Sequence, residues 1–363
     1  MKTFAKYFFL IIFICYSCTE KKTQNSNEII VDYKANDEIK VSSFIENFKI
    51  VKLSTDNDHL IHQISKIEYI DEKIYILDIP SNCIFIFDDS GKLDKKLEKV
   101  GGGPGEYIQI TDFFVDDKHL FVMDFTQQVI LAYDDDLNYL QITSFKSLGS
   151  RLINHNNFFW IYNEPAYRNP DYQFSLLNEK GKLLTEFLPR NSVNHLFNWA
   201  EANVFYTTSG EEKYLSPRYN DTIYRISNNT IQPEFIINFK DRKFPTNENI
   251  NNYNIADLNF PFLVKNNFYI SKKYLIFDYI LERERHFCIY DKDKNVNISG
   301  LIDNDLIDNF RFFPRWGNGN YLIEELNPEI LLEGFKESPQ FKNFLNIEID
   351  DNPLIIIYKL KEK

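Results

Sequence analysis

The sequence has little cysteine, no long hydrophobic run and no excess of basic residues. Four cysteines in 363 residues are too few for a dense disulfide framework. The apolar run Tyr7–Ile14 is far shorter than the roughly 20 residues that a membrane-spanning helix needs. The 41 basic residues against 53 acidic ones give a net charge of −12, which would repel a phosphate backbone. We therefore expect neither a spanning helix nor nucleic-acid binding.

Familiar catalytic motifs are absent as well. The chain contains no Gly-x-Ser-x-Gly elbow, no His-Glu-x-x-His motif and no Rossmann glycine pattern. His59 and His62 stand three residues apart at a strand start, where their side chains would point to opposite faces. We expect a surface pair there rather than a metal site. No cofactor is predicted, and a divalent metal held by residues from separate repeats stays open.

Aromatic residues, in contrast, are abundant. The chain has 33 Phe and 22 Tyr, and this bias favours strands over helices. Long stretches with a helical period are hard to find. The best helical candidate is Asn327–Phe344, with Asn327 as N-cap, Pro328 at the first helical position and Pro339 as an interruption.

The N-terminus has the form of an export signal. Two lysines precede the apolar run, and the small residue Ser17 stands directly before Cys18. This order resembles a bacterial lipoprotein signal, although Cys15 stands where leucine is commoner. The resemblance implies a signal over residues 1–17 and lipid attachment at Cys18. The polar residues 18–38 are expected to tether the lipid to the folded domain.

One part of the sequence repeats with an offset of 46 residues. Ile74–Asp78 recurs as Leu120–Asp124, and Ile84–Asp89 recurs as Ile130–Asp135. Each unit reads as paired strands whose hairpin tips are rich in Asp, Asn and Gly. A four-stranded unit of this length is typical of a propeller blade, which cannot bury both of its faces without neighbours.

We therefore predict an all-β domain over residues 39–363, a six-bladed β-propeller of four-stranded antiparallel blades. The length divided by the offset gives about seven units, but loops and closing strands take part of it. Pro353–Lys361 is predicted to pair with a strand near Lys49–Leu53 and so to close the ring. Cys83 and Cys288 would then lie on blades 1 and 5, and we expect buried free thiols.

Three further stretches carry a family resemblance: Gly101–Tyr107, Tyr219–Tyr224 and Phe313–Trp316. With the signal, they resemble the six-bladed β-propeller lipoproteins of Bacteroidetes-type bacteria, whose blades are similar to NHL repeats. The resemblance covers nearly the whole chain and implies the fold and an outer-membrane location. It implies little about activity. The glycine-rich motif occurs only once here, which puts in doubt any site built from one motif per blade.

Two pairs of residues are candidate ligand contacts. Glu106 and Tyr107 end the glycine-rich run, where Glu106 would face the channel and bind a ligand or a cation. The alternative is a tight crossover between blades, in which Tyr107 packs on the next blade. Arg315 and Trp316 would stack on a sugar or a peptide if they were exposed, and the alternative is packing in the core.

These observations predict a cell-envelope module that binds or scaffolds an envelope protein or an oligosaccharide without catalysis. It would contact the membrane only through its lipid anchor, and the side of the outer membrane that it faces is left open. The alternative is a metal-assisted hydrolase or lyase at the channel mouth. A third interpretation is an accessory subunit of an outer-membrane complex. Propellers serve all three purposes, so the fold does not choose among them.

Overall fold

The strands of the computed structural model form six separate sheets, each of which is one propeller blade. The structure describes residues 27–35, 37–56, 59–147, 149–163, 171–190, 203–217, 220–245, 260–335, 337–344 and 346–362. The expected signal and lipid-attachment residue Cys18 lie outside these ranges. The six-bladed β-propeller predicted from the repeat is confirmed.

The first three strands join blades that are completed much later in the chain: β1 (Glu28–Ile30), β2 (Asp37–Lys40) and β3 (Ile45–Lys52). Blades 1 to 3 follow in order, with β4 (Lys66–Ile70), β5 (Lys73–Asp78), β6 (Cys83–Asp88) and β7 (Leu93–Leu97); β8 (Ile110–Val115), β9 (Leu120–Asp124), β10 (Val129–Tyr133) and β11 (Tyr139–Ser144); and β12 (Gly149–His155), β13 (Phe158–Asn163), β14 (Tyr172–Leu177) and β15 (Leu183–Pro189).

Blades 4 to 6 contain the remaining strands: β16 (Phe205–Thr207), β17 (Lys213–Leu215), β18 (Thr222–Ser227) and β19 (Thr230–Asn238); β20 (Lys265–Ile270), β21 (Tyr274–Leu281), β22 (Glu284–Asp291) and β23 (Val296–Asp303); and β24 (Trp316–Asn318), β25 (Tyr321–Leu326) and β26 (Leu354–Leu360). In each blade the strand nearest the central axis, called the inner strand, is the first one listed: β4, β8, β12, β16, β20 and β24. Consecutive strands within a blade pair as antiparallel hairpins, which accounts for the Asp-, Asn- and Gly-rich tips in the sequence.

The propeller begins earlier in the chain than we expected. β1 pairs in parallel with β19 on the outer edge of blade 4, and β2 pairs in parallel with β23 on the outer edge of blade 5. Ile29, Val31 and Ile39 are buried in this segment, and such burial is incompatible with a free tether. We call residues 27–40 the strap. The expected four-stranded antiparallel blades are therefore corrected to five strands, one of them parallel, in blades 4 and 5.

The ring closes as the sequence predicts. β26, near the C-terminus, pairs antiparallel with β3, and the register places Ile356 opposite Ile50. Blade 6 thus combines strands from both ends of the chain. Because the two ends lie in one sheet, the ladder leaves no gap between the first and the last blade.

The cores lie between neighbouring blades. One apolar cluster joins blades 6 and 1, a second joins blades 1 and 2, and larger ones join the remaining blades. Cys83 and Cys288 are buried free cysteines in blades 1 and 5, as expected. Burial raises the pKa of both thiols to about 12.

In blades 1 and 2, a buried aspartate at the end of the second strand holds the blade to the segment that leads into it. Asp124 ends β9, and its carboxylate accepts a hydrogen bond of 2.6 Å from the backbone N–H of Ile108. Asp78 ends β5 and accepts one of 2.8 Å from the N–H of His62. Both carboxylates are fully buried. The repeated Asp in the sequence is therefore a structural hydrogen-bond acceptor.

Within the described ranges, helical structure is limited to short segments. The predicted region contains an α-helical turn at Pro328–Ile330 with Asn327 at its N-cap position, a π-helical turn at Leu331–Phe335 and a 3₁₀ helix that begins at Pro339. Two further 3₁₀ turns are Val41–Ser43 and Lys240–Arg242. None of the helices in the described ranges has the length and apolar composition to cross a membrane.

Candidate ligand site in the central channel

A cavity of about 440 Å³ occupies one end of the central channel. The inner strands of five blades line it: β4, β8, β12, β16 and β24. Its mouth is formed by the hairpin tips that follow these strands, with Asp71, Asp117, Ser209 and Gly319 among the lining residues. The cavity volume falls in the range of small-molecule sites.

Blade 5 does not contribute to the cavity because blades 4 and 6 meet in front of it. The backbone N–H of Gly319 donates to the carbonyl oxygen of Thr207 at 2.8 Å, and the Tyr206 hydroxyl donates to the carbonyl oxygen of Gly319 at 3.0 Å. Tyr269 of blade 5 packs directly behind Gly317, where a Cβ atom would overlap its ring. The turn that contains these two glycines therefore makes the channel asymmetric.

A largely buried ion group joins the inner strands of blades 1 and 2. The Lys66 ammonium lies 2.9 Å from a carboxylate oxygen of Glu68 and 3.0 Å from one of Asp112. The other oxygen of Asp112 accepts a hydrogen bond of 2.8 Å from the backbone N–H of Leu152 in blade 3. Three consecutive inner strands are thus held by one lysine and one aspartate.

The electrostatics of this group keep Lys66 charged. Burial lowers the pKa of its ammonium, but the negative charges of Asp112 and Glu68 outweigh that effect, so the pKa of Lys66 is raised. Burial raises the pKa of the Glu68 carboxyl, and the neighbouring ammonium opposes that rise. The three groups therefore satisfy one another within the channel wall.

Three other cations line the cavity. The Lys213 ammonium lies 3.2 Å from a carboxylate oxygen of Glu211 and 5.1 Å from the centroid of the Phe114 ring, and its side chain is only 5% exposed. Arg151 is half-buried and donates from Nη1 to the carbonyl oxygen of Ser150 at 3.0 Å. The remaining cation, on Lys359, lies towards the C-terminus and pairs with a glutamate of β3.

The carboxylates at the mouth of the cavity are more exposed to solvent than those in its interior. Asp71, Asp117, Glu211 and Glu362 line the cavity and are exposed to solvent. Glu68 and Asp112 lie deeper, and Lys66 compensates both of them. The cavity thus has an acidic rim around a more balanced interior.

The predicted pair Glu106 and Tyr107 lies in the connection from β7 to β8 and does not line the cavity. The Glu106 carboxylate accepts a hydrogen bond of 2.7 Å from the N–H of Gly103 within its own loop. Tyr107 is buried between blades 1 and 2, and its hydroxyl accepts a hydrogen bond of 3.1 Å from the N–H of Lys99. With Gly105 at a φ of +75°, this loop is the tight crossover that we named as the alternative.

The predicted pair Arg315 and Trp316 lies beside the cavity. The Arg315 guanidinium stacks over the indole of Trp316, with 4.7 Å between the guanidinium carbon and the ring centroid. Trp316 lines the cavity but is only 5% exposed, because it packs in the core between blades 6 and 1. This burial is the core packing that we gave as the alternative to stacking on a ligand.

Potential metal ligands are dispersed. Within the described ranges, no three His, Cys, Asp or Glu side chains are grouped so that they could hold a metal ion. His62 is exposed, and its Nδ1 lies 2.8 Å from the Ser81 hydroxyl. The acidic tip at Asp134 binds its own turn, because the carboxylate accepts the backbone N–H groups of Asp136 and Asn138. Hydrogen bonds from Asn138 lower the pKa of this carboxyl.

Sequence reasoning missed the charged residues of the channel wall. Lys66 and Asp112 stand 46 residues apart, which is the offset of the repeat. They therefore occupy equivalent positions on neighbouring inner strands. Opposite charges at equivalent positions of consecutive repeats would have been the signal. The repeat was recognised on the second and third strands of the blades, where the apolar residues make it visible, and not on the inner ones.

The fold is similar to those of two solved Bacteroides proteins. The candidate exported protein BF0058 of Bacteroides fragilis matches over 92% of this chain and 99% of its own, with 16% identity and a TM-score of 0.71. A member of the DUF4221 family from Bacteroides vulgatus matches over 87% of this chain and 97% of its own, with 10% identity and a TM-score of 0.51. At these identities the similarity establishes the fold.

Sequence comparison gives a family but no function. No curated protein matches the sequence. The family model for a domain of unknown function, DUF4934, matches residues 26–359. This range includes the strap, all six blades except the last residue of β26, and every residue of the cavity wall except Glu362. The chain therefore belongs to the DUF4934 family.

Proposed function

We propose that this protein is a non-catalytic binding module of the cell envelope and that its ligand enters the central cavity. The observation that carries the proposal is the asymmetric cavity itself, which is open at the hairpin tips and walled by charged, amide and aromatic side chains. Small-molecule sites combine a concave shape with a few polar groups that fix orientation. The half-buried carboxylate of Glu68 and the buried carboxylate of Asp112 are both paired with Lys66, which suits a rigid wall better than proton transfer.

An oligosaccharide is the partner that this cavity favours. A volume of about 440 Å³ admits one or two sugar residues of a chain and not a folded domain. Half-buried Phe205 and Tyr321 offer aromatic surface, and the Asp117 carboxylate at the mouth offers hydrogen-bond acceptors. An envelope protein would instead contact the exposed hairpin tips around the mouth.

We further propose that the protein is held at the outer membrane by a lipid on Cys18. The similarity to an exported-protein candidate of Bacteroides fragilis supports export in general. The finer assignment rests on the order of residues in the signal, in which Ser17 precedes Cys18.

The test is a binding measurement that blocks the mouth. Isothermal titration calorimetry with a panel of defined neutral and acidic oligosaccharides should give saturable binding to the wild-type protein. Ser209→Trp places a bulky ring at the cavity mouth and should abolish that binding. Ser144→Trp, at an exposed serine on the outer strand β11, is the matched control and should bind like the wild type.

Two results would contradict the proposal. Equal binding by wild type and Ser209→Trp would place the ligand elsewhere on the propeller. Conversion of a bound oligosaccharide to product, dependent on an added divalent metal, would favour the hydrolase or lyase interpretation in place of simple binding.

A further inference from the structure

Among the residues that the structure describes, Arg151 is the cation of the cavity wall that has no carboxylate partner. It stands on β12, the inner strand of blade 3, and lines the cavity. Its guanidinium donates one hydrogen bond, from Nη1 to the carbonyl oxygen of Ser150. Among the residues that the structure describes, none contributes a carboxylate within ion-pair distance of it. A guanidinium has five N–H donors, so most of them are left for water or a ligand.

The other cations of the interior are already compensated. Lys66 contacts the carboxylates of Glu68 and Asp112, and Lys213 contacts Glu211 and lies over the Phe114 ring. Of the interior cations that the structure describes, Arg151 is thus the one that can pair with a negatively charged group of a ligand. Its planar fork also matches a carboxylate with two parallel hydrogen bonds.

The rim limits how much negative charge a ligand can carry. Asp71, Asp117, Glu211 and Glu362 surround the mouth and are exposed. Although Glu211 is paired with Lys213, the net negative charge of this rim would repel a polyphosphate or a nucleic acid. A ligand with a single carboxylate among neutral hydroxyl groups meets Arg151 inside, while its hydroxyl groups can donate to the rim.

We propose that the cavity selects an acidic sugar residue, whose carboxylate pairs with Arg151. The inference rests on the proposed function, because it takes the cavity as the ligand site and names the ligand class. The half-buried rings of Phe205 and Tyr321 supply apolar surface for the face of the sugar ring. The hydroxyl groups point to the mouth, where the carboxylates accept their hydrogen bonds.

The experiment compares a neutral oligosaccharide that ends in one hexuronic acid residue, the methyl ester of that acid and the matching fully neutral oligosaccharide by isothermal titration calorimetry. On the wild-type protein, the acid should bind at least about tenfold more tightly than the other two, because a charge-assisted bidentate pair is lost in both. The methyl ester tests the charge without any change to the protein.

Protein variants test whether Arg151 causes the preference for the acidic oligosaccharide. Arg151→Gln should remove the preference for the acid, and Arg151→Lys should retain part of it as a point charge. Arg311→Gln is the matched control, because this arginine is exposed and lies outside the cavity lining. It should behave like the wild type. Thermal melts of each variant verify that the propeller is folded.

The outcomes separate this inference from the proposed function. Equal binding of acid, ester and neutral sugar, still blocked by Ser209→Trp, would leave the ligand site in place and overturn the acidic-sugar assignment. An acid preference that persists in folded Arg151→Gln would overturn the role of Arg151. Binding of peptides with a free C-terminal carboxylate, but not of their amides or of any sugar, would overturn the sugar class. Absence of all binding in the cavity would overturn both proposals.

Discussion

Glu324 is a buried acid in blade 6 with an unusual environment. It is 5% exposed, accepts a hydrogen bond of 2.9 Å from the N–H of Phe313, and lies 3.3 Å from the Tyr358 hydroxyl. Burial raises the pKa of its carboxyl to about 8, although the Phe313 hydrogen bond and the charge of Arg285 oppose the rise. At neutral pH the folded protein therefore favours the protonated acid.

This environment predicts a pH-dependent stability. Between the unfolded pKa near 4.5 and the folded pKa of about 8, the folded protein holds a proton that the unfolded chain has released. The contribution of Glu324 is thus fully present below pH 4.5 and is lost as the pH rises to 8. Glu324→Gln keeps a neutral acceptor, so the wild type should lose stability relative to this variant by on the order of 3 kcal/mol from pH 5 to 8.

Urea unfolding at several pH values measures this difference. Glu333→Gln, at an exposed glutamate in the nearby π-helical turn, is the matched control and should follow the wild type throughout. If wild type and Glu324→Gln kept a constant difference across this range, the carboxyl would be ionised in the folded state.

The aspartates that could be recognised from the sequence make contacts within their own blade, whereas the charged residues that could not be recognised make contacts between blades. Asp78 and Asp124 were visible because each follows a run of apolar residues within its own blade. Lys66 and Asp112 bind each other across two blades, and no local pattern reports such a contact. Arg315 and Trp316 were recognised from their residue types, but burial between blades leaves Trp316 little free surface.

At the scale of elements, the strap is the feature that the sequence did not reveal. β1 and β2 are three and four residues long, and they gain their order from blades 4 and 5. A parallel strand that pairs with residues more than 200 positions later leaves no periodic signal of its own. Composition alone suggested a polar tether.

Gly300 allows the backbone of the strap to pack closely against blade 5. A Cβ atom at this position would overlap the carbonyl oxygen of Asp37 in β2. Gly300→Ala should therefore detach β2 and destabilise the protein by about 1–3 kcal/mol. Hydrogen exchange should show faster exchange at Glu38–Lys40 while the β21–β22 hairpin remains protected.

Gly102→Ala provides the control for this prediction, because a Cβ atom at Gly102 would have no neighbour within 4 Å. Unchanged protection of the strap in Gly300→Ala would mean that β2 does not depend on close backbone approach. Protection lost throughout the propeller would mean that the strap is part of the global folding unit.

At the scale of the whole molecule, closure and asymmetry are separate properties. The pairing of β3 with β26 closes the ring and was predictable, because two apolar strands at the ends of a repeat array must find partners. The contact of blades 4 and 6 in front of blade 5 was not predictable. It depends on the Gly319 backbone reaching Thr207 across the channel.

The proposed anchor makes a prediction about where the whole molecule resides. In the producing bacterium, the wild-type protein should sediment with membranes and partition into detergent, because the lipid on Cys18 would attach it to the membrane. Cys18→Ser should shift the protein to the soluble fraction. Cys15→Ser is the matched control, since that residue would leave with the signal, and it should remain with the membranes.

Membrane association of Cys18→Ser after washing with high salt would contradict a lipid on this residue. Mass spectrometry of the N-terminal peptide from the membrane fraction gives an independent reading. An unmodified Cys18 in that peptide would also contradict the lipid attachment.

The sequence by itself determined the strand-rich blade, the repeat and the pairing of the chain's two ends, because apolar alternation and turn chemistry are local or periodic. Only the tertiary structure decided which charged residues meet in the channel, how the strap completes blades 4 and 5, and which blade is excluded from the cavity. These features depend on contacts between residues far apart in the chain, whose geometry is fixed when the blades pack around the axis. Arg151 is an ordinary arginine in the sequence and becomes a candidate ligand contact through the neighbours that this packing gives it.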